Sequence, residues 1–251
     1  MNNRPVPEWF KMTDRATSET MKRIADSVQE PNLPIQVKFL PIQAHWFILD
    51  SLSLANQANR EGMHANALAL TRQCLEAISV VELGLSTHPD AAHVLLKWDR
   101  DKISPGELRR WLSANVWPSY GSGIWTESWS DYMAHLTRAI QPYAHYTSHL
   151  AQWQAHLLGQ PDPSEPETMY VRFAPRAYDP QKATRITLFH AILTYTLGRI
   201  WVVGRNDPEF SAMINRLGKA LGKSKYLDGH ETNWEQQFWG GLSRCPRCHH
   251  I

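Results

Sequence analysis

Apolar residues recur at spacings of three and four along most of this chain, the pattern of helices that bury one face. The plainest example begins just after Gly62 and comprises Met63, Ala67, Leu70, Cys74, Ile78, Val81 and Leu85. Similar patterns predict further helices over 14–29, 43–61, 89–99, 105–115, from 126 onward, 181–203 and 208–221. The sequence therefore predicts an all-α protein built as a helical bundle.

The C-terminal third departs from this pattern. A segment rich in Pro and acidic residues, 159–167, is typical of a linker. It is followed by alternating residues over 169–173, which predict a strand and hence a short strand pair. The expected organisation is an N-terminal arm with a short helix (1–41), a helical bundle (42–158), a linker with a short strand (159–180), C-terminal helices packed on the bundle (181–244) and a Cys/His tail (245–251).

Composition narrows the class of protein. The formal charge is only +2, with 26 Lys and Arg against 24 Asp and Glu, so recognition of phosphate has to be local. The apolar stretch 186–203 is long enough to span a membrane but carries His190 and Arg199, which favours a buried helix. The N-terminus lacks a secretory pattern, and three Cys form no even disulfide framework, so we expect a cytoplasmic protein without membrane contact.

The candidate chemistry lies in residues 135–149, where an Arg and several His occur in a helix-like, aromatic segment. In one continuous helix, Arg138, His145, His149 and His156 would fall within about 40° of each other. Pro142 interrupts the segment, so we expect a kink or a restart there. Two interpretations stay open for these His: a site for acid–base chemistry, or capping and hydrogen bonding in a helical core beside Tyr143 and Tyr146.

Cleavage of RNA without a metal ion requires a base, an acid and a cation that stabilises the phosphorane. Imidazoles supply the first two near neutral pH, and a guanidinium supplies the third. Arg138 and His145 are the candidate catalytic pair, with His149 and Tyr143 as supporting residues. A dimer that brings this segment of two subunits together would contain two copies of each of these groups.

An earlier helix carries a second charged motif, Arg72 and Glu76, set among Leu68, Leu75 and Leu83. At this i,i+4 spacing the two side chains form either a packed ion pair or a pair that orients groups of an active site. Together with the Arg138-x6-His145 spacing, this motif resembles the HEPN superfamily of bacterial helical proteins. The resemblance covers about 43–158.

The HEPN resemblance implies a four- or five-helix bundle, often dimeric, and a metal-independent ribonuclease of phage-defence or toxin–antitoxin systems. It would place Arg138 and His145 at the motif positions, shared across a homodimer, and imply RNA or a protein of a defence operon as partner. The alternative function is a non-catalytic helical module that binds a protein or senses a ligand within a defence or regulatory complex.

Metal sites are the remaining candidates. The tail carries Cys245-Pro-Arg-Cys248-His249, and two thiolates with one imidazole suit zinc. A fourth ligand would come from His230, Cys74 or another subunit, and a tail without metal is the competing interpretation. A weaker zinc candidate is a site on the helix-like segment itself, where His145 and His149 stand at i,i+4 and His149 and His156 would extend the set of ligands. No other cofactor is expected.

Overall fold

The computed structural model describes residues 7–29, 33–157, 164, 171–173 and 176–224. Within these ranges the chain is all-α, as predicted. The helices are α1 (Glu8–Val28), α2 (Leu40–Arg60), α3 (His64–Leu85), α4 (Ala91–Asp99), α5 (Pro105–Asn115), α6 (Trp129–Ile140), α7 (Ser148–Ala151), α8 (Pro180–Val202) and α9 (Pro208–Gly222). Short 3₁₀ turns cover Trp117–Ser119, Gln141–Tyr143 and Gln152–Gln154.

Helices α2 and α3 form a hairpin that turns at Gly62, where the sequence predicts the break. Gly62 has a φ of +77°, a backbone conformation that residues with a Cβ rarely adopt. A Cβ at this position would also lie 2.7 Å from the backbone nitrogen of Tyr178. Glycine is therefore required both by the turn and by the close approach of the segment that precedes α8.

Helix α8 lies at the centre of the molecule and packs against α1, α3 and α9. Most of its residues are buried, including Ile186, Phe189 and Leu193, so the predicted buried helix is confirmed. No helix in the described part of the chain is long and apolar enough to cross a membrane. Buried residues of the N-terminal arm, the bundle and the C-terminal helices belong to one apolar cluster.

Hydrogen bonds fix the start of α8 against the α2–α3 turn. The backbone N–H of Asp179, the N-cap of α8, donates to Nε2 of His64 at 3.0 Å. Nε2 is therefore unprotonated, and Nδ1 donates to Oδ1 of Asn59 at 2.9 Å. The Asn59 amide in turn donates to the carbonyl of Ala183 in α8. This network ties the start of α8 to the turn between α2 and α3, more than 110 residues earlier in the chain.

Helix boundaries agree with the sequence where local signals are strong. Ser104 and Glu107 form a reciprocal capping box at the start of α5, where Ser104 and Pro105 predict it. The predicted start of the first helix at residue 14 is wrong, since α1 begins at Glu8. Buried residues recur along the whole helix from Trp9 to Val28, and the helix packs on α8 and α9, as expected of an arm that packs on the main body.

A two-stranded antiparallel sheet follows α7. Strand β1 (Ala155–Leu157) pairs with β2 (Val171–Phe173), with Ala155 opposite Phe173. The strand predicted over 169–173 is thus present as β2. The ammonium of Lys182 in α8 donates to the carbonyls of Gln152, Trp153 and Ala155, which holds the start of β1 against the helical core.

Candidate functional site

The predicted catalytic residues lie in what we term the α6–α7 junction, residues 138–149. Helix α6 ends at Ile140, a 3₁₀ turn containing Pro142 follows, and α7 begins at Ser148. The predicted interruption at Pro142 is therefore confirmed. The single helical stripe predicted from the sequence is wrong. Arg138 lies in α6, His145 in the bend between the 3₁₀ turn and α7, His149 in α7 and His156 in β1.

Arg138, His145 and His149 are all exposed. None of the three forms a hydrogen bond or ion pair with any part of the chain that the structure describes. Arg138 stands in the last turn of α6, where a cation favourably faces the negative end of the helix dipole. The second interpretation of the sequence, in which the histidines form hydrogen bonds within a helical core, is therefore wrong for His145 and His149. Their polar atoms are free to meet a ligand.

The two tyrosines of the junction differ in their surroundings. Tyr143, predicted to support catalysis, is buried and packs edge-on against Trp153, with ring centroids 5.8 Å apart. Burial raises the pKa of its hydroxyl. Tyr146 is 75 % exposed beside His145, and its hydroxyl donates to Gln154. Tyr143 therefore anchors the junction to the core, and Tyr146 presents an aromatic face to solvent.

The Arg72–Glu76 pair contacts the same junction from α3. Nη2 of Arg72 donates to Oε1 of Glu76 at 2.8 Å and to Oε1 of Gln141, in the 3₁₀ turn, at 2.9 Å. The Arg72 side chain is only 5 % exposed, whereas Glu76 is 42 % exposed. The predicted ion pair is present, but only its cationic half is buried. The structure thus links Arg72 to the α6–α7 junction through Gln141, with no direct contact to Arg138 or His145 among the described residues.

Arg109 of α5 joins this group, and the sequence analysis did not single it out. Burial and the neighbouring Arg72 guanidinium lower the pKa of Arg109, and the Glu76 carboxylate partly opposes them. Nη1 of Arg109 and Nε of Arg72 are buried without a hydrogen-bond partner in the described residues. One feature of the sequence could have indicated that Arg109 is partly buried. It lies next to Leu108 and three residues before Leu112, the two buried residues of α5.

A second unusual polar group, Glu82, lies in the core of α3. Its side chain is fully buried, and Oε1 accepts a hydrogen bond of 3.0 Å from the Trp117 indole. Burial raises the pKa of Glu82 to about 7, although Tyr120 and Trp117 act in the opposite direction. Glu82 is closed off from solvent, so we assign it to the interior rather than to a site.

Metal ligands are not assembled in the described part of the chain: no group of three or more His, Cys, Asp or Glu side chains there could hold a metal ion. Cys245, Cys248, His249 and His230 lie outside the described residues. Cys74 is buried, and burial raises the pKa of its thiol to about 12, which disfavours the thiolate that zinc requires.

Comparison with known proteins gives no assignment: no family model, no curated protein and no solved structure matches this chain. The HEPN resemblance accordingly stays a prediction that depends on Arg72, Glu76, Arg138 and His145.

Proposed function

We propose that this protein binds RNA at the α6–α7 junction and cleaves it without a metal ion. The observation that carries the proposal is that Arg138, His145 and His149 are exposed and have no partner in the described chain. A fold that uses such side chains for stability buries or pairs them. Here one guanidinium and two imidazoles remain available within a single short segment.

The chemistry follows from these groups. His145 in its neutral form takes the proton of a ribose 2′-hydroxyl, whose oxygen then attacks the adjacent phosphorus. The bond from phosphorus to the 5′-oxygen breaks, and a protonated imidazole, His149 or the His145 of a second copy, donates a proton to the leaving oxygen. Arg138 stabilises the negative charge of the phosphorane. The products are a 2′,3′-cyclic phosphate and a 5′-hydroxyl.

Single-stranded RNA suits this surface better than a duplex. The exposed ring of Tyr146 lies next to His145 in sequence and offers a face on which an unpaired base can stack. The protein as a whole is nearly neutral, so attraction of RNA would come from the junction and its neighbouring arginines rather than from a global field. We place this activity in the cytoplasm, in phage defence or a toxin–antitoxin system.

A homodimer is the second part of the proposal, and the outer side of α2 supports it. We define the α2 apolar face as the large exposed apolar side chains on and just before this helix: Ile35, Phe39, Trp46, Phe47, Leu49 and Leu54. Apolar side chains of this size, each about half exposed, present on the order of 600 Å². An exposed apolar patch of that area is at the upper end of those found on monomers. Two such patches packed together would bury nearly the area of a standard protein–protein interface.

The α2 apolar face is also complementary to itself. An antiparallel pair of α2 helices centred between Trp46 and Phe47 would set these two rings against each other and Phe39 opposite Leu54. In the same register Gln43 would face Asp50, a charged residue near the middle of this side of α2, and could donate its amide N–H to that carboxylate. Like charges would not meet, so a second copy is the occupant we propose.

The α2 apolar face equally favours the alternative function, a non-catalytic module that binds another protein of a defence or regulatory complex. The two functions differ in what the junction residues do. In the alternative, Arg138 and His145 contribute nothing to RNA turnover, and a partner protein rather than a second copy covers α2.

Cleavage of a labelled single-stranded RNA in the presence of EDTA tests the function. We expect His145→Ala to lower the rate by about 100-fold or more, the usual contribution of a general acid or base. His93→Ala is the matched control, because His93 is exposed on α4 without a partner in the described chain and should leave the rate unchanged. A wild-type protein without activity, or equal rates for His145→Ala and wild type, would contradict the proposal.

A further inference from the structure

Residues 144–152, which we term the histidine loop, are closed at their base by a contact between two aromatic rings. Tyr143 precedes the loop and Trp153 follows it, and both side chains are buried. The two rings meet edge-on, with centroids 5.8 Å apart. A surface loop whose ends lie close together and are packed by its own side chains behaves as one compact unit. His145 and His149 are therefore carried by one unit rather than by independent segments.

Contacts inside the histidine loop also define its shape. The Thr147 hydroxyl donates to the carbonyl of Pro142 at 2.9 Å, which folds the first half of the loop back on the 3₁₀ turn. The same oxygen accepts from the backbone N–H of Leu150 and caps α7. The Leu150 side chain is buried in the apolar core. The internal geometry of the loop is thus set locally, and its orientation depends on its contacts with the neighbouring helices.

Lys182 of α8 holds the end of the histidine loop. Its ammonium donates to the carbonyls of Gln152, Trp153 and Ala155 at 3.3, 3.2 and 2.5 Å. A lysine ammonium has three N–H donors, so all of them are directed at this one short segment. Hydrogen bonds from a charged donor are stronger than those between neutral groups. Lys182 thereby fixes the backbone that follows α7 against α8.

Gln141 holds the chain just before the histidine loop. It follows α6 directly and accepts the 2.9 Å hydrogen bond from Arg72 of α3. Arg72 is itself buried, whereas Gln141 is exposed. Helices α3 and α8 pack on each other, so both attachments belong to the same packed core. Gln141 sets how the chain leaves α6, which carries Arg138, and Lys182 sets how it returns to the core.

We propose that Lys182 and Gln141 are positioning residues for the cleavage of RNA. They hold the histidine loop, and thereby its two imidazoles, in a fixed orientation relative to Arg138 on α6. This inference rests on the proposed function and names the residues that orient its groups. Catalytic groups work only when they are held within about 0.5 Å of their productive positions. A displacement of about 1 Å can lower the rate by as much as ~100-fold, even when its cause lies away from the chemistry.

The positioning role predicts a particular kinetic signature. Tyr146 lies on the histidine loop, and when the loop turns as a unit, its exposed ring still offers a base a face on which to stack. The imidazoles and Arg138 belong to different elements, so the same movement separates them. Loss of a positioning residue should therefore lower kcat and leave KM nearly unchanged, whereas loss of a group that binds RNA would raise KM.

Steady-state cleavage of a labelled single-stranded RNA by Lys182→Met tests the proposal. Methionine keeps an unbranched apolar stem but removes the charge and all three donors, so kcat should fall about tenfold or more while KM stays within about twofold of wild type. Lys219→Met is the matched control, because Lys219 is exposed on α9, and its kcat should equal that of wild type. An unchanged kcat for Lys182→Met, or a change confined to KM, would overturn the proposal.

A pair of variants at Gln141 gives a second measurement that does not depend on a partly buried side chain. Gln141→Ala removes the acceptor of Arg72 and should lower kcat about fivefold or more. Gln141→Glu keeps an oxygen that accepts from Arg72 and should restore kcat to within about twofold of wild type. Equal kcat values for the two variants would overturn the proposal, even if Lys182→Met failed to fold.

Hydrogen exchange separates a failure of this inference from a failure of the proposed function. The backbone N–H groups of Leu150 and Ala151 are hydrogen-bonded to Thr147, and they should exchange several-fold faster in Lys182→Met than in wild type. Equal exchange would show that Lys182 does not hold the loop and would overturn the proposal. A wild-type protein that cleaves no RNA would overturn the proposed function and the positioning role with it. An active wild type whose kcat survives Lys182→Met would overturn the positioning role alone.

Discussion

Nη2 of Arg72 donates a 2.9 Å hydrogen bond to Oε1 of Gln141. This bond fastens the 3₁₀ turn that follows α6 to the centre of α3, across a separation of 69 residues. Gln141 lies between Arg138 and His145 in the chain. The hydrogen bond therefore helps to position the backbone that carries both candidate catalytic residues.

The first prediction is that Gln141→Ala destabilises the protein by about 1–3 kcal/mol, because the buried Arg72 loses an acceptor. Urea unfolding gives the free energy of unfolding directly. Gln181→Ala is the control, since Gln181 is exposed in the first turn of α8, and we expect a change within about 0.5 kcal/mol. Equal stability of Gln141→Ala and wild type would show that the hydrogen bond does not hold the junction.

The second prediction concerns pH and Glu82. Burial raises the pKa of Glu82 in the folded protein to about 7, above its ordinary value of 4.5. The folded state thus holds a proton that the unfolded state releases, and the stabilising effect is complete below pH 4.5 and is lost as pH rises through 7. The loss amounts to at most about 1.4 kcal/mol for each pH unit within this window.

Glu82→Gln should remove this contribution, because an amide cannot ionise. The difference in unfolding free energy between variant and wild type should grow in favour of the variant from pH 5 to pH 7 and then stay constant. Gln73→Ala, at an exposed position of the same helix without an ionisable group, is the comparison and should show no such trend. Parallel pH curves for Glu82→Gln and wild type would contradict the burial of an ionisable Glu82.

The third prediction addresses the α2 apolar face. Trp46→Glu places a carboxylate at the centre of the proposed two-fold contact, so the dimer should dissociate while the helical circular dichroism is retained. Sedimentation equilibrium at micromolar concentration measures the mass. Phe10→Glu, an exposed aromatic position on α1, should leave the dimer intact. A monomeric wild-type protein would exclude the second copy and favour another protein as the occupant of α2.

Local patterns in the sequence account for most of the helices. The spacing of apolar residues from Met63 to Leu85 is sufficient to predict α3. This helix is largely buried between its neighbours, so apolar residues recur at helical spacing along its whole length. The start of α1 at Glu8 escaped prediction because no side chain caps it, and its first turn is held by packing of Trp9. Strand β1 is three residues long and depends on pairing with β2, which no local signal records.

The candidate site, like the fold, is only partly predictable from the sequence. Arg138 and His145 are recognisable by residue type and spacing, and Pro142 correctly predicts the break between them. Arg109 is not recognisable, because its significance comes from Arg72 on another helix. The exposure of Tyr146 and the burial of Tyr143, three residues apart, also depend on how the turn docks rather than on sequence pattern.

The central place of α8 bears on how the chain is made. During synthesis, α1 leaves the ribosome long before α8, which begins at residue 180, and chain growth over that interval takes on the order of ten seconds. Throughout that time the buried face of α1, which includes Ala16 and Ile24, lacks the α8 helix against which α1 packs in the finished protein. The nascent chain is therefore a candidate for chaperone binding at α1. Translation has to pass residue 222, the end of α9, before the core can close, because α9 packs on both α1 and α8.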